Sequence, residues 1–135
     1  MTYILFLILG IYLPAGAVSA DAVVITNSSI APGTVNPETI RKIYSGQISK
    51  WPDNTRIIVT TITQASFHEE FLKKYVEKSK SQFTATWKKL MFSGMGVLPT
   101  NFETMDQLID FVSKHKSAIG YVTDDTKLRD VSIQK

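Results

Sequence analysis

The chain has 135 residues, of which 15 are Lys or Arg and 12 are Asp or Glu, so its formal net charge is +3. A positive excess this small does not indicate a nucleic-acid partner. The chain contains no Cys, which excludes disulfide bonds, thiolate metal sites and cysteine-based catalysis.

The first stretch, MTYILFLILGIYLPAGAVSA, carries no charged side chain. Its apolar run from Ile4 to Leu13 is broken by Pro14, and Val18-Ser19-Ala20 has the small-residue pattern of a signal-peptidase site. We therefore predict a signal peptide over residues 1–20, a mature domain over 21–135 and a periplasmic location. An uncleaved anchor is the alternative, but the apolar run is shorter than the roughly 20 residues that span a bilayer.

A strand and a short helix are predicted next. DAVVIT is a nearly continuous apolar run, which favours a buried strand over residues 22–26. Asn36 as N-cap and Pro37 at the first helical position predict a helix over 37–45, which Gly46 ends. Trp51, in the connector that follows, is expected to pack over one end of the sheet.

The stretch IIVTTITQASFHEEFLKKY joins a β-branched run to an amphipathic helix and predicts half of a βαβ unit. The strand is expected over 57–61. Ser66 with Glu69 has the spacing of a capping box, so the helix is expected over 66–78, starting near Phe67. Its apolar stripe faces the sheet.

A junction between a strand and a helix is a common place for anions, because the first helical N–H groups are unpaired and carry partial positive charge. The turn here is rich in hydroxyl groups. We expect ligand contacts from the following residues, the last two through backbone N–H groups: Thr61, Thr63, Ser66, Phe67 and His68. The alternative is that Ser66 serves only as a helix cap.

The rest of the chain predicts two more helices and two strands. Ser79 with Gln82 and Thr104 with Gln107 have capping-box spacing, and Trp87 lies on the apolar stripe of the first of these helices. The stretch from Met95 to Phe102 is expected to be a loop. The predicted helices are 80–92 and 104–115, and the predicted strands are 118–122 and a weaker edge strand, 131–133.

Lysines outnumber acids strongly between Lys73 and Lys89, where only Glu77 is negative. The expected interpretation is a solvated surface, and the alternative is a docking surface for an acidic partner or anionic lipid.

Three segments, IYSGQISKW from Ile43, the stretch Val59 to Phe71, and SAIGYV from Ser117, resemble the phosphate-receptor branch of the periplasmic solute-binding proteins of ABC transporters. The resemblance implies an α/β fold, a single lobe of a periplasmic-binding-protein-like (type II) fold with a mixed sheet flanked by helices. It also implies phosphate as ligand and a role in transport.

The ligand turn departs from that family's pattern, R-S-D-G-S-G-T, because the chain reads ITQASFH from Ile62. Ile62 stands where the family has Arg, and the loss of a bidentate Arg removes a strong phosphate contact. We therefore predict weak or vestigial oxyanion binding. The alternative is an envelope interaction or adapter module that has lost its ligand, which an exposed Phe67 would favour.

Enzymatic activity is not expected. Two histidines, His68 and His115, far apart in sequence, with no Cys and no paired-carboxylate motif, do not form a recognisable catalytic set. No cofactor and no metal are predicted. The expected partners are phosphate or another small oxyanion, with an envelope protein or self-association as a further possibility, and no nucleic acid.

Overall fold

A computed structural model describes residues 21–135, and the predicted signal peptide lies outside the described residues. These residues contain five strands and four α-helices, and the alternation of strands and helices agrees with the order that the sequence predicts. In chain order they are β1 (Ala22–Asn27), α1 (Pro37–Tyr44), β2 (Ile58–Ile62), α2 (Ala65–Phe71), α3 (Lys80–Phe92), β3 (Thr100–Phe102), α4 (Met105–Lys114), β4 (Ala118–Thr123) and β5 (Val131–Gln134).

The strands form one mixed sheet in the order β3-β2-β4-β1-β5. β2 is parallel to both β3 and β4, whereas β1 is antiparallel to β4 and β5. The predicted strands near 22–26, 57–61 and 118–122 therefore do lie in one sheet, and the predicted weaker strand forms its edge. Because β2, β3 and β4 run in the same direction, their carboxyl ends meet at one edge of the sheet.

Helices cover both faces of the sheet, which confirms the predicted α/β class. Neighbouring residues of a strand point to opposite faces, and Gly120 and Tyr121 show what each face meets. Tyr121 stacks on Phe71 of α2 with ring centroids 3.7 Å apart. A Cβ atom at Gly120 would lie 2.6 Å from the Leu108 side chain, so glycine allows α4 to pack closely on the other face.

Two tryptophans take the packing roles expected of them. Trp87 of α3 is buried and its indole N–H donates to the Tyr44 carbonyl at 2.9 Å. Trp51 is partly buried and donates to the Ser117 carbonyl at 2.9 Å, just before β4 begins. Both bonds satisfy the polar atom of a largely apolar side chain.

The predicted capping box at Ser66 is wrong. Gln64 is the N-cap of α2 and the helix begins at Ala65, so Ser66 already lies inside the first turn. The Thr63 N–H donates to the Phe102 carbonyl at 2.9 Å, which extends the pairing of β2 and leaves little chain for a turn. Helical structure continues as a π-helical segment, Leu72–Val76, and ends at Glu77, whose φ is 58°.

The stretch from Met95 to Phe102 is not entirely a loop as predicted, because Thr100–Phe102 forms β3. Pro99 immediately precedes this strand, where its missing N–H removes no bond from the β2 pairing. The pairing with β2, a long-range contact, creates a strand that has no local signal of its own. Among the described residues, none of the helices has the length and apolar character needed to span a bilayer.

Candidate functional site

The first turn of α2 presents unpaired backbone donors at the edge where the parallel strands end. The side chain of Gln64, the N-cap, makes no hydrogen bond to the helix. Within residues 21–135, the N–H groups of Ala65, Ser66 and Phe67 also have no hydrogen-bond partner. Such groups, together with the helix dipole, form a partial positive charge that favours an anion.

Asn101 of β3 links two of the predicted ligand residues on β2 and the turn after it. The Thr61 hydroxyl donates to Asn101 Oδ1 at 2.9 Å, and Asn101 Nδ2 donates to Thr63 Oγ1 at 2.7 Å. The parallel register that pairs Thr61 with Asn101 creates this bridge. Sequence reasoning missed Asn101 because it missed β3, and a three-residue strand after a proline leaves no periodicity to find.

The hydrogen bonds to Asn101 leave the hydroxyl of Thr63, but not that of Thr61, able to donate to a ligand. The single hydroxyl hydrogen of Thr61 is used on Asn101, and Thr61 is buried. Thr63 accepts from Asn101 and is exposed, so its own hydrogen is free to donate outward. Ser66 is also exposed, and its hydroxyl makes no hydrogen bond within the described chain. Thr63 and Ser66 are thus the two hydroxyl donors available at the turn.

His68 faces the core instead of the turn. The residue is 7% exposed, and its ring stacks on Tyr121 and meets Phe83 edge-on. The Tyr121 hydroxyl accepts from the Ile62 N–H at 3.1 Å and also hydrogen-bonds His68 Nδ1, where the tautomer of the imidazole ring sets which of the two atoms donates. Burial lowers the pKa of His68, and the nearby Lys80 ammonium lowers it further, against a smaller opposite effect of Glu69.

The backbone of His68 is also engaged, since its N–H donates to the Gln64 carbonyl at 3.0 Å. The structure therefore brings Thr63, Ser66 and the Phe67 N–H together at the turn. Thr61 and His68 lie beneath them as supporting residues.

The two apolar side chains of the turn point into the core. Ile62 is 3% exposed, and Phe67 is 5% exposed with its ring centroid 5.6 Å from that of Tyr121. No Lys or Arg occurs between Ile57 and Leu72, while Glu69 and Glu70 are exposed on α2. Within the turn itself, positive potential comes from backbone N–H groups, and the Lys80 ammonium at the start of α3 lies close enough to lower the pKa of His68. No cluster of His, Cys or acidic residues able to hold a metal ion occurs within residues 21–135.

This arrangement, a hydroxyl-bearing turn between a parallel strand and a helix N-terminus in a mixed sheet, can be compared with known proteins. The model of the PBP superfamily domain matches residues 17–133, nearly the whole chain. The chain belongs to the PBP superfamily. No curated protein matches the sequence.

Three solved structures similar to this PBP-superfamily chain carry names of phosphate-binding or phosphate-transport proteins. One, from Clostridium perfringens, is a candidate phosphate ABC transporter substrate-binding protein with bound phosphate; it has 18% identity and a TM-score of 0.66. An ABC-type phosphate transport receptor from Vibrio cholerae has 16% identity and a TM-score of 0.59. A candidate phosphate-binding protein from Planctomyces limnophilus has 14% identity and a TM-score of 0.57.

Each of these matches covers 86% of this chain but only 44%, 46% and 42% of the respective solved chain. The chain therefore spans less than half the length of these proteins. At such low identity the likeness establishes the fold, which is that of one lobe of a periplasmic-binding-protein-like structure.

Proposed function

We propose that this chain is an exported, non-enzymatic member of the phosphate ABC transporter substrate-binding proteins that binds phosphate or a similar oxyanion weakly at the turn before α2. The observation that carries the proposal is the unpaired first turn of α2, where the N–H groups of Ala65, Ser66 and Phe67 lie beside the free hydroxyls of Thr63 and Ser66. The fold of phosphate-binding relatives supports the choice of ligand.

Weak binding follows from the charges of the turn. A charge-assisted hydrogen bond contributes roughly 1.5–3 kcal/mol, and the turn has no Arg or Lys to supply one. At about 1.4 kcal/mol per tenfold, the missing contact weakens affinity by roughly one to two orders of magnitude. The exposed carboxylates of Glu69 and Glu70 on the same helix act in the same direction.

The direct test is calorimetric titration of residues 21–135 with phosphate at low salt. We expect heat at millimolar phosphate for the wild type and a several-fold loss of affinity for Ser66→Ala. Ser66→Asp should abolish binding, because a carboxylate in the first turn suits the helix dipole but repels the anion. Affinity should fall as salt rises, since the anion stays partly hydrated and exposed.

Ser28→Ala is the matched control. Ser28 is an exposed serine that follows β1, and β1 is antiparallel to β4, so Ser28 lies at the opposite edge of the sheet. Its substitution should leave the titration unchanged. Absence of heat for the wild type would refute oxyanion binding, and tight binding that Ser66→Asp does not change would place the site elsewhere.

The alternative is an adapter module whose former cleft has become a docking surface. An exposed Phe67 would favour this alternative. Phe67 is instead buried against Tyr121, and we therefore place the oxyanion proposal first. If calorimetry fails, self-association or an envelope protein partner becomes the leading hypothesis.

A further inference from the structure

Five large apolar side chains are exposed together at the end of α3 and in the loop that follows. Phe92 is 82% exposed, Met95 72% and Val97 62%, with Leu98 and Met91 less exposed. We call this set the α3 apolar patch: Met91, Phe92, Met95, Val97 and Leu98. Within residues 21–135, these five are the large apolar side chains that are exposed to solvent. A concentrated apolar surface of this kind marks an interaction site.

The backbone holds these side chains outward in a defined geometry. The Met95 N–H donates to the Leu90 carbonyl at 2.9 Å and the Gly94 N–H donates to the Met91 carbonyl at 3.1 Å, while Gly94 has a φ of 73°. This is a Schellman motif, the usual glycine-dependent ending of a helix. The exposure of Phe92 and Met95 therefore belongs to an ordered turn.

The surface around the patch is basic. From Lys78 to Phe102 the chain has no acidic residue, and two of its four lysines, Lys88 and Lys89, lie in the last turns of α3 beside the patch. Lys88 and Lys89 are exposed and lie four and three residues before Phe92, so they share its side of the helix. Arg56 lines the adjoining groove of about 120 Å³ beside Met95. Long basic side chains can keep their charges at the level of lipid headgroups while neighbouring apolar groups enter the acyl region.

We propose that the α3 apolar patch docks this domain on an anionic lipid surface, with Phe92, Met95 and Val97 inserted and Lys88 and Lys89 at the headgroups. Charge complementarity selects an anionic bilayer as the partner, because the exposed Lys88 and Lys89 adjoin the patch and no acidic residue between Lys78 and Phe102 repels phosphate headgroups. A neutral apolar partner would offer no opposite charge to Lys88 and Lys89.

The patch and the candidate anion site use different side chains. The groove beside Met95 is lined by Ile57 and Ile58, at the start of β2, whereas Thr63 and Ser66 follow the end of that strand. Leu98 and Lys88 also line a shallow groove with Thr61, so the two surfaces adjoin near Thr61. The proposal does not depend on the oxyanion proposal, since the exposed Phe92, Met95 and Val97 carry it and none of them belongs to the turn.

The test is flotation of residues 21–135 with vesicles of phosphatidylglycerol mixed with phosphatidylcholine, against vesicles of phosphatidylcholine alone. We expect binding only to the mixed vesicles, and a marked loss at about 0.5 M NaCl, where the screening length is well below 8 Å. Phe92→Ser/Val97→Ser should lower the partition coefficient at least about tenfold. Lys88→Glu/Lys89→Glu should lower it roughly 30-fold or more.

Lys114→Glu/Lys116→Glu is the matched control for charge. These two lysines are exposed at and just after the end of α4, on the other face of the sheet, and their reversal changes the net charge by the same amount. We expect less than about a twofold effect from this control, since it lies away from the docked surface. All variants replace exposed side chains, and thermal unfolding of each confirms that the fold is intact.

Three outcomes would overturn the proposal. One is the absence of binding to the mixed vesicles, and a second is binding that Phe92→Ser/Val97→Ser leaves unchanged, which would mean attraction without insertion. The third is a wild-type dimer in sedimentation that the same double variant converts to a monomer without any vesicle binding. That result would assign the patch to a second copy of the chain.

Discussion

His68 shows how burial changes the role of a titratable residue. His68 was expected to contact an anion through its backbone N–H, which instead donates to the Gln64 carbonyl, and its ring packs between Tyr121 and Phe83 with a hydrogen bond to the Tyr121 hydroxyl. The neutral form is thus the one that the folded structure stabilises, because burial and the Lys80 charge lower its pKa.

This lowered pKa predicts a loss of stability in mild acid. In the unfolded chain His68 takes up a proton near its reference pKa of about 6.5, while in the folded protein it does so only at lower pH. The free energy of unfolding should therefore fall as pH drops from about 7 toward 5, with a slope of at most about 1.4 kcal/mol per pH unit. Urea unfolding across this range measures the slope.

His68→Gln keeps a polar group able to hydrogen-bond Tyr121 but cannot titrate, so it should remove most of this slope. His115→Gln is the control, because His115 is the second histidine and is exposed. If His115→Gln flattened the profile and His68→Gln did not, the assignment to His68 would be refuted.

At the scale of the element, two helices with similar sequence signals begin in different ways. Ser79 caps α3, since the Gln82 N–H donates to Ser79 Oγ at 3.2 Å and the Ser79 N–H donates to Gln82 Oε1 at 3.0 Å. Ser66 has the same spacing to Glu69 and does not cap α2. The difference is one of position, because Gln64 is already the N-cap of α2 and Ser66 therefore lies inside the first turn, where its hydroxyl does not cap the helix.

The two serines give a matched pair of stability predictions. Ser79→Ala should lower the free energy of unfolding by about 1 kcal/mol, the usual cost of losing a side-chain N-cap. Ser66→Ala should change it by less than about 0.5 kcal/mol, as expected for an exposed residue inside a helix. Denaturant titration of both variants compares them. Equal losses would mean that Ser66 caps α2 in solution.

At the scale of the whole molecule, the amino-terminal segment carries the prediction of export. Cleavage after Ala20 should yield a protein that begins at Asp21, because small residues are expected at the first and third positions before the cut. Mass spectrometry of the periplasmic fraction of an expressing bacterium measures the mature mass.

Ala20→Phe should block this cleavage, whereas Ser19→Phe, at the position between the two small residues, should permit it. A wild-type protein that keeps Met1 in the membrane fraction would contradict the prediction and favour an uncleaved anchor.

The sequence by itself was sufficient for features whose signals are local. Examples are the apolar runs that form β1, β2 and β4 and the side-chain caps of Asn36 and Ser79, which depend on residues within a few positions of one another. The family resemblance also rests on short segments, and the PBP superfamily match confirms it. The Thr63 and Ser66 donors of the proposed site were named from the same local pattern.

Only the tertiary structure decided which of those residues face outward. β3 and its Asn101 bridge exist because β2 offers a parallel edge, and this pairing uses the Thr61 hydroxyl internally. His68 is drawn into the core by Tyr121, which lies 53 positions away in sequence. The exposure of Phe92, an apolar residue at the end of a regular helix, likewise has no local signal, because burial depends on what the rest of the chain packs against it.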